Sequence, residues 1–311
     1  MDALMERLTT TDIEIKNLNK RKVQLKRKVR QNNISEEEEY ELSEVEELLQ
    51  ELKDSKKDYL ELIKLAIKNE PPESKSFSDA DSEWIEAVTG VNTAYRKWAE
   101  FVIDTNIHPR PQFKKAFEDV GKAFHQHNEA GRRIYLNLFL SDIVLRPEFD
   151  GALRIFPELE LEVVETNGPK RRKLHGRTDY TVGFAKEKDM FDNAIPRELH
   201  LVAVEAKTSI GEKDLWQCVA EAASLYKTRL DAGKRSKCVW GILSNAEMWK
   251  FIFIDENGQL SRSAACLIDL RSYNDTEVLH VYRIIHYIVK CCYQTCTPPP
   301  STASSVGSVN Q

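Results

Sequence analysis

The chain of 311 residues is long enough to bury a full core and to form one large domain or two modest ones. Its apolar fraction of 41% is a little low and its charged fraction of 31% is high, while a net charge of -5 argues against a uniformly basic nucleic-acid binder and leaves room for a basic patch. No stretch approaches the ~20 apolar residues of a membrane span and the first residues carry no apolar core of signal-peptide length, so a soluble protein of the nucleus or cytoplasm with no membrane partner is expected.

The charge excess is local to the first 75 residues. Leu8, Ile15, Leu18, Leu25 and Val29 fall on heptad spacing, interrupted at Lys22, and Leu42, Val45, Leu49, Leu52, Tyr59 and Ile63 repeat the pattern. Two long helices follow, joined by a turn over 31–35, with Ser35 and Glu38 as a capping box. The first is basic from Lys16 to Arg30 and the second acidic from Glu36 to Asp54, so an antiparallel coiled-coil hairpin over 1–70 pairs opposite charges. It suits a homo-oligomer or a protein partner; direct nucleic-acid contact by the basic helix is the alternative.

Residues 71–82 read as a linker, on the run Pro-Pro-Glu-Ser-Lys-Ser. Helices resume through Trp84, Val88, Tyr95, Trp98 and Phe101, break at His108-Pro-Arg-Pro111, and restart near Phe113. The restart runs to Ile143 on Ala116, Val120, Phe124, Ile134, Leu138 and Ile143, with Gly121 or Gly131 as a dividing point. Beyond Pro147 the period changes. Strands are expected over 159–166, 177–184 and 199–208, the first two joined hairpin-like by a loop over 167–173. Asp214 then caps a helix with the apolar face Leu215, Val219, Ala222, Tyr226 and Leu230. Strands over 238–243 and 248–254, a turn at Asp255-Glu-Asn-Gly258, a short return strand, a helix over 276–292 and a disordered tail over 295–311 complete the chain. The sequence thus describes an α/β domain over 83–294 with a mixed central β-sheet flanked by helices.

The six cysteines, Cys218, Cys238, Cys266, Cys291, Cys292 and Cys296, lack paired metal spacing and read as reduced thiols, with no zinc site. The chemistry concentrates instead in His200-Leu-Val-Ala-Val-Glu-Ala-Lys207. Leu201 to Val204 read as a strand buried on both faces that ends in a carboxylate and an ammonium. Alternation puts Glu205 and Lys207 on one face, where two ionisable groups at a buried strand end are costly unless they meet a metal, a substrate or each other. Glu-x-Lys recurs at Glu14, Glu51 and Glu73 in helical or linker context, and only Glu205-Ala206-Lys207 closes a buried strand. Upstream, Gly176-Arg-Thr-Asp179-Tyr-Thr-Val-Gly183 opens a second strand on an acid.

Asp179, then Glu205-Ala206-Lys207, then a helix carrying Gln217, resembles the PD-(D/E)XK, or restriction-endonuclease-like, nucleases over residues 125–260. The resemblance implies a restriction-endonuclease-like core and metal-dependent phosphodiester hydrolysis of DNA, ahead of RNA. It implies that Asp179 and Glu205 hold Mg2+ or Mn2+, that Ala206 lends its carbonyl, and that Lys207 orients or activates the attacking water. It also implies a helix-borne acid ahead of the first strand, matched by Glu129, and a catalytic-site role for Gln217. Glu221 stands where the exonuclease-like branch carries a tyrosine, and Arg177-Thr178 replace the proline before Asp179. Val239-Trp-Gly241 with Trp249-Lys-Phe-Ile-Phe253 is further similar to nuclease-like domains of fungal Crinkler-type proteins.

The chemistry agrees with the resemblance, since Mg2+ takes oxygen ligands from one or two carboxylates and neutralises charge on a scissile phosphate. An unliganded acid at an apolar strand end would be strained, which makes Glu205→Gln a candidate stabilising change. Two alternatives stand beside the nuclease: a catalytically inactive nuclease fold that binds nucleic acid, and an interaction protein whose coiled coil is the working part. Lys170, Arg171, Arg172 and Lys173 form a basic cluster that reads as a phosphate-contacting loop, an import signal or a solvated turn. His125 and His127 read as surface residues rather than a metal pair, being two apart on a helix, and His175 as a loop residue.

Overall fold

The computed structural model describes residues 2–31, 33–69, 71–98, 103–165, 171–185 and 196–296. They fall into two compact units, one of the described residues up to Pro72 together with Arg171, the other of those from Glu73 to Glu165 and from Arg172 to Cys296. Helix α1 (Asp2–Arg30) and helix α2 (Glu36–Asn69) build the first. The capping box forms, with Glu38 N donating to Ser35 Oγ at 3.3 Å and Ser35 N to Glu38 Oε2 at 3.4 Å. The helices run antiparallel: Lys56 reaches Asp12 at 2.6 Å, Arg21 reaches Glu41 at 2.6 Å, and Lys28 pairs with Glu38. Lys22, the break in the heptad seam, reaches Glu46 at 3.0 Å. These pairs lie at the surface, where water and salt screen them, so Leu25, Val45, Leu49 and Ile63 buried along the seam contribute more.

The second unit is α/β. Its large mixed sheet runs β2 (Asn92–Lys97), β10 (Gln259–Arg262), β9 (Met248–Ile254), β8 (Val239–Ser244), β7 (His200–Ala206), β6 (Tyr180–Phe184), β3 (Leu153–Pro157), with β11 (Cys266–Leu267) beside β9. Strands β7 and β8 are parallel, as a helical crossover requires, and β6 and β9 are antiparallel to them. One sheet face, with Val202, Val204, Ile242 and Phe251, packs on helices α5 (Glu129–Val144) and α7 (Asp275–Cys296). The other, with Ala203, Leu243 and Ile252, packs on α6 (Glu212–Asp231).

A second sheet, β1 (Glu73–Ser76), β5 (Arg172–Arg177) and β4 (Glu160–Val164), lies over the far side of α6. Helix α6 is therefore covered on two sides, and Ala220, Glu221, Ala223 and Ser224 are as buried as its expected apolar face, while Leu230 is exposed. Small residues allow that double approach.

Several expectations are corrected. The stretch 71–82 is no linker: β1 pairs in parallel with β5, and Phe77 is buried against Gly176, where a Cβ would collide with the ring. Helix α3 (Ser82–Thr89) ends at Gly90, whose φ of 74° is the left-handed cap that glycine favours, so the helical reading through Tyr95 and Trp98 gives way to β2; Phe101 lies outside the described residues. The helix from Phe113 divides close to Gly131, one of the two dividing points expected, into α4 (Gln112–Ala123) and α5, because Asn128 Oδ1 accepts from Gly131 N at 2.8 Å and starts a new helix. The fully buried face of α5 is Tyr135, Leu136, Phe139, Leu140 and the expected Ile143, with the expected Leu138 partly buried against the same core and Ile134 half-buried. Asp214 is three residues inside α6, not its cap; its carboxylate accepts from Gly211 N at 2.8 Å. Helix α7 runs on to Cys296, past the expected tail boundary, and 297–311 lie outside the described residues. No disulfide joins Cys218, Cys238, Cys266, Cys291 and Cys292.

The buried segment before Asp81 has a measurable consequence. A chain beginning at Asp81 lacks β1 and the Phe77 ring, whose loss alone costs about 3–5 kcal/mol. It should melt roughly 10 °C below a chain beginning at Glu73; equal melting temperatures would mean that β1 and Phe77 add nothing.

Candidate active site

Strand β7 is buried from end to end because both its faces are covered. Its last pair with β6 sets Tyr180 opposite Val204, so Asp179 and Glu205 follow at the same end of neighbouring antiparallel strands. Asp179 sits at a corner. Residues 153–164 and 172–184 form one long bent hairpin whose inner halves, β3 and β6, join the large sheet and whose outer halves, β4 and β5, join the small one. At the bend Glu158 takes a φ of 53°, Glu158 N donates to Asp179 O at 2.9 Å, and Thr178 N to Leu159 O at 3.0 Å. The hairpin partner of β4 is thus β5, and not β6, which begins just after Asp179.

Asp179 Oδ2 accepts from the backbone N of Ala206 at 2.6 Å, which ties the corner to the end of β7. Asp179 Oδ1 pairs with the Arg133 guanidinium from the first turns of α5. Arg133 also reaches Glu129 at 3.3 Å and lies 5.8 Å above the Tyr180 ring, so Glu129 meets Asp179 only through it. On the α6 side, Glu205 Oε1 takes the Lys207 ammonium at 2.7 Å and the Gln217 amide at 2.6 Å. Gln217 also donates to Glu221 at 3.2 Å, one helical turn on.

Glu205 and Glu221 are both buried, Glu221 completely. Burial, then the charge of Glu205, hold the Glu221 carboxyl well above the usual carboxylate range. Among the described residues no group donates to the buried Oε2 of either glutamate. Burial pulls the Lys207 ammonium down, but the hydrogen bond and charge of Glu205, with Asp214 and Glu221 beyond, outweigh it and raise Lys207 above the ordinary lysine value. Lys207 therefore acts as a fixed positive charge near neutral pH and has no free base to offer. The Cys218 thiol, pushed up by burial and then by Glu221 and Glu205, is unreactive.

Of the residues expected at the site, Glu205, Lys207 and Gln217 meet directly, Asp179 meets the strand at Ala206, and Glu129 stands one residue removed behind Arg133. The basic cluster is not a loop throughout. Lys170 lies outside the described residues, Arg171 precedes β5, and Arg172 and Lys173 are on β5 itself. Arg172 stacks 5.2 Å from the Trp84 ring, and Lys173 reaches Glu162 at 2.7 Å. His175 is also on β5, opposite Glu162, in a different sheet from Glu205. His125 and His127 lie in the turn between α4 and α5, with ring centroids 4.3 Å apart rather than on separated helix faces. Arg133 and Glu221 complete the site without having been singled out as functional. Arg133 had a signal in its four-residue spacing from Glu129.

Among the described residues no three histidine, cysteine or acidic side chains converge as a metal centre. The available donors are oxygens: the buried Oε2 of Glu205, the Asp179 carboxylate and the backbone at Ala206. That donor set suits a hard cation that keeps most of its water, such as Mg2+ or Mn2+, and would not close around zinc. Arg133 already supplies one positive charge to Asp179, which a metal has to share or displace. No family model and no curated protein matches the chain.

Proposed function

We propose that the chain is a metal-dependent nuclease with a restriction-endonuclease-like core, hydrolysing phosphodiester bonds in DNA or RNA. The observation that supports this most strongly is the convergence of Glu205, Lys207 and Gln217 at the closed end of β7, with Asp179 hydrogen-bonded to the same strand end. A mixed sheet with helices on both faces accords with it. Asp179, Glu205 and the Ala206 carbonyl would hold Mg2+ or Mn2+, which when bound neutralises charge on the scissile phosphate.

The chain's own groups divide the remaining work. Gln217 fixes the Glu205 carboxylate, and the Ala206 N–H fixes that of Asp179. Lys207 keeps its proton and places a positive charge where the attacking oxygen and the phosphate gather negative charge. The Arg133 cation on Asp179 favours a second reading, a nuclease fold that binds nucleic acid without cutting it. The helical pair of the first unit would serve assembly or a protein partner. Among the described residues no helix is long and apolar enough to cross a membrane.

Labelled single- and double-stranded DNA and RNA, incubated with the purified chain, separate the two readings. Cleavage with Mg2+ or Mn2+ that stops in EDTA is the expected result. Binding without cleavage in either metal would establish the second reading, and neither binding nor cleavage would reject both.

A further inference from the structure

Lys250 lies in line with the candidate site across the large sheet. Glu205 pairs with Leu243 in the β7/β8 ladder, and Leu243 pairs with Lys250 in the β8/β9 ladder. Paired residues share a face, so the three side chains form one row on the α6 side, where Leu243 and Ile252 pack. Two strand spacings place the Lys250 backbone roughly 10 Å from that of Glu205. The basic residues around Glu205 are occupied: Lys207 by Glu205 and Arg133 by Asp179. Lys250 is half-buried, and among the described residues no carboxylate or hydrogen-bond acceptor pairs with its ammonium. A half-buried lysine covers its stem and leaves its ammonium to solvent, where an anion arriving from outside can pair with it.

The space around Lys250 fits such an anion. Leu215, Lys250, Phe251, Arg262 and Ser263 line a pocket of about 180 Å³. That is smaller than the ~300 Å³ at which pockets begin to hold drug-sized molecules, and it suits a single phosphate group. Arg262 lies 5.3 Å over the Trp216 ring and reaches Glu212 at 3.7 Å, which sets a second cation and an aromatic face at the rim. Ser263 Oγ is taken up within the fold, donating to Ala264 O at 2.7 Å and accepting from Phe251 N at 2.9 Å. The cation at this pocket is thus left to the two basic side chains.

We propose that Lys250 binds a backbone phosphate of the nucleic-acid strand whose scissile phosphate lies at Glu205 and Lys207, so that the strand runs across β7, β8 and β9 over the α6 N-terminal turn. This rests on the nuclease reading and names the path of its substrate. Fluorescein-labelled DNA and RNA oligonucleotides, titrated with the full chain in EDTA so that nothing is cut, test it through the salt dependence of binding. Lys250→Ala should lower the slope of log affinity against log salt by about 0.7–0.9, the share of one phosphate contact, while Lys250→Arg restores it. Lys250→Gln gives the same comparison with side-chain length kept, should the alanine variant fail to fold. Unchanged slopes in Lys250→Ala and Lys250→Gln, with a wild type that cuts in Mg2+, would overturn the Lys250 contact alone. A wild type that neither binds nor cuts any of the oligonucleotides would overturn the nuclease reading and this contact with it.

Discussion

Lys207→Gln is expected to slow Mg2+-dependent cleavage by roughly 10²–10³-fold, or about 2.7–4 kcal/mol of transition-state stabilisation. Glutamine is the better replacement than alanine. Glu205 is nearly sealed from solvent, and losing its cation without a substitute donor would leave a buried charge uncompensated, at about 3–5 kcal/mol. Gln at 207 keeps a donor beside Glu205 and removes only the charge. Glu205→Gln should lower the rate at least as far, since it removes the one buried carboxylate that Lys207 and Gln217 both hold. Because these groups act as a unit, the triple change of Asp179, Glu205 and Lys207 should be little slower than the worst single one. Single-turnover cleavage rates, with melting curves for each variant, decide it. Effects that simply add would mean that the three residues contribute separately and share no site.

Glu221→Gln is expected to stabilise the fold, by an amount that grows with pH. Burial and the neighbouring charge of Glu205 hold the Glu221 carboxyl well above its ordinary value of 4.5, so the folded chain retains a proton that the unfolded chain has released. The stability of the wild type is complete below that unfolded value. It falls as pH rises from there towards the folded value, by up to about 1.36 kcal/mol per pH unit. Glutamine carries no such proton, keeps the shape and retains contact with Gln217, so the variant is spared this loss. Urea unfolding at a series of pH values above 4.5 measures the difference. Parallel curves for the two proteins would mean that Glu221 is ionised in the fold and that its proton plays no part.

The site was legible where burial and chemistry coincide in one short run. Four apolar residues ending in Glu205-Ala-Lys207 can be read as a buried strand with an active end, and β7 is buried throughout. Asp179 was legible as an acid opening a strand, but the corner it occupies was not. Residues 172–177, Arg-Lys-Leu-His-Gly-Arg, carry a single large apolar side chain and show no strand pattern, so the change of sheet between them and 180–184 leaves no mark in the sequence. Strand β1 was hidden because Glu-Ser-Lys-Ser has no strand pattern of its own; it exists by pairing with β5 beside the buried Phe77. Helix α6 looked one-sided because alanine and serine give a weak signal, whereas the second sheet buries them. That hidden layer also displaces the expected strain. Glu205 has Lys207 and Gln217 as partners, and the unfavourable burial rests on Glu221, which pattern alone leaves as a polar residue off the apolar face.

The central claim is that the end of β7 is a divalent-cation site built on Glu205, and its most direct test is Mn2+ binding followed by electron paramagnetic resonance in wild type and Glu205→Gln. The account predicts that the wild type takes up Mn2+, that Mg2+ displaces it, and that Glu205→Gln loses this binding while its melting curve still shows a folded chain. Equal uptake by the two proteins, or none by the folded wild type, would contradict it.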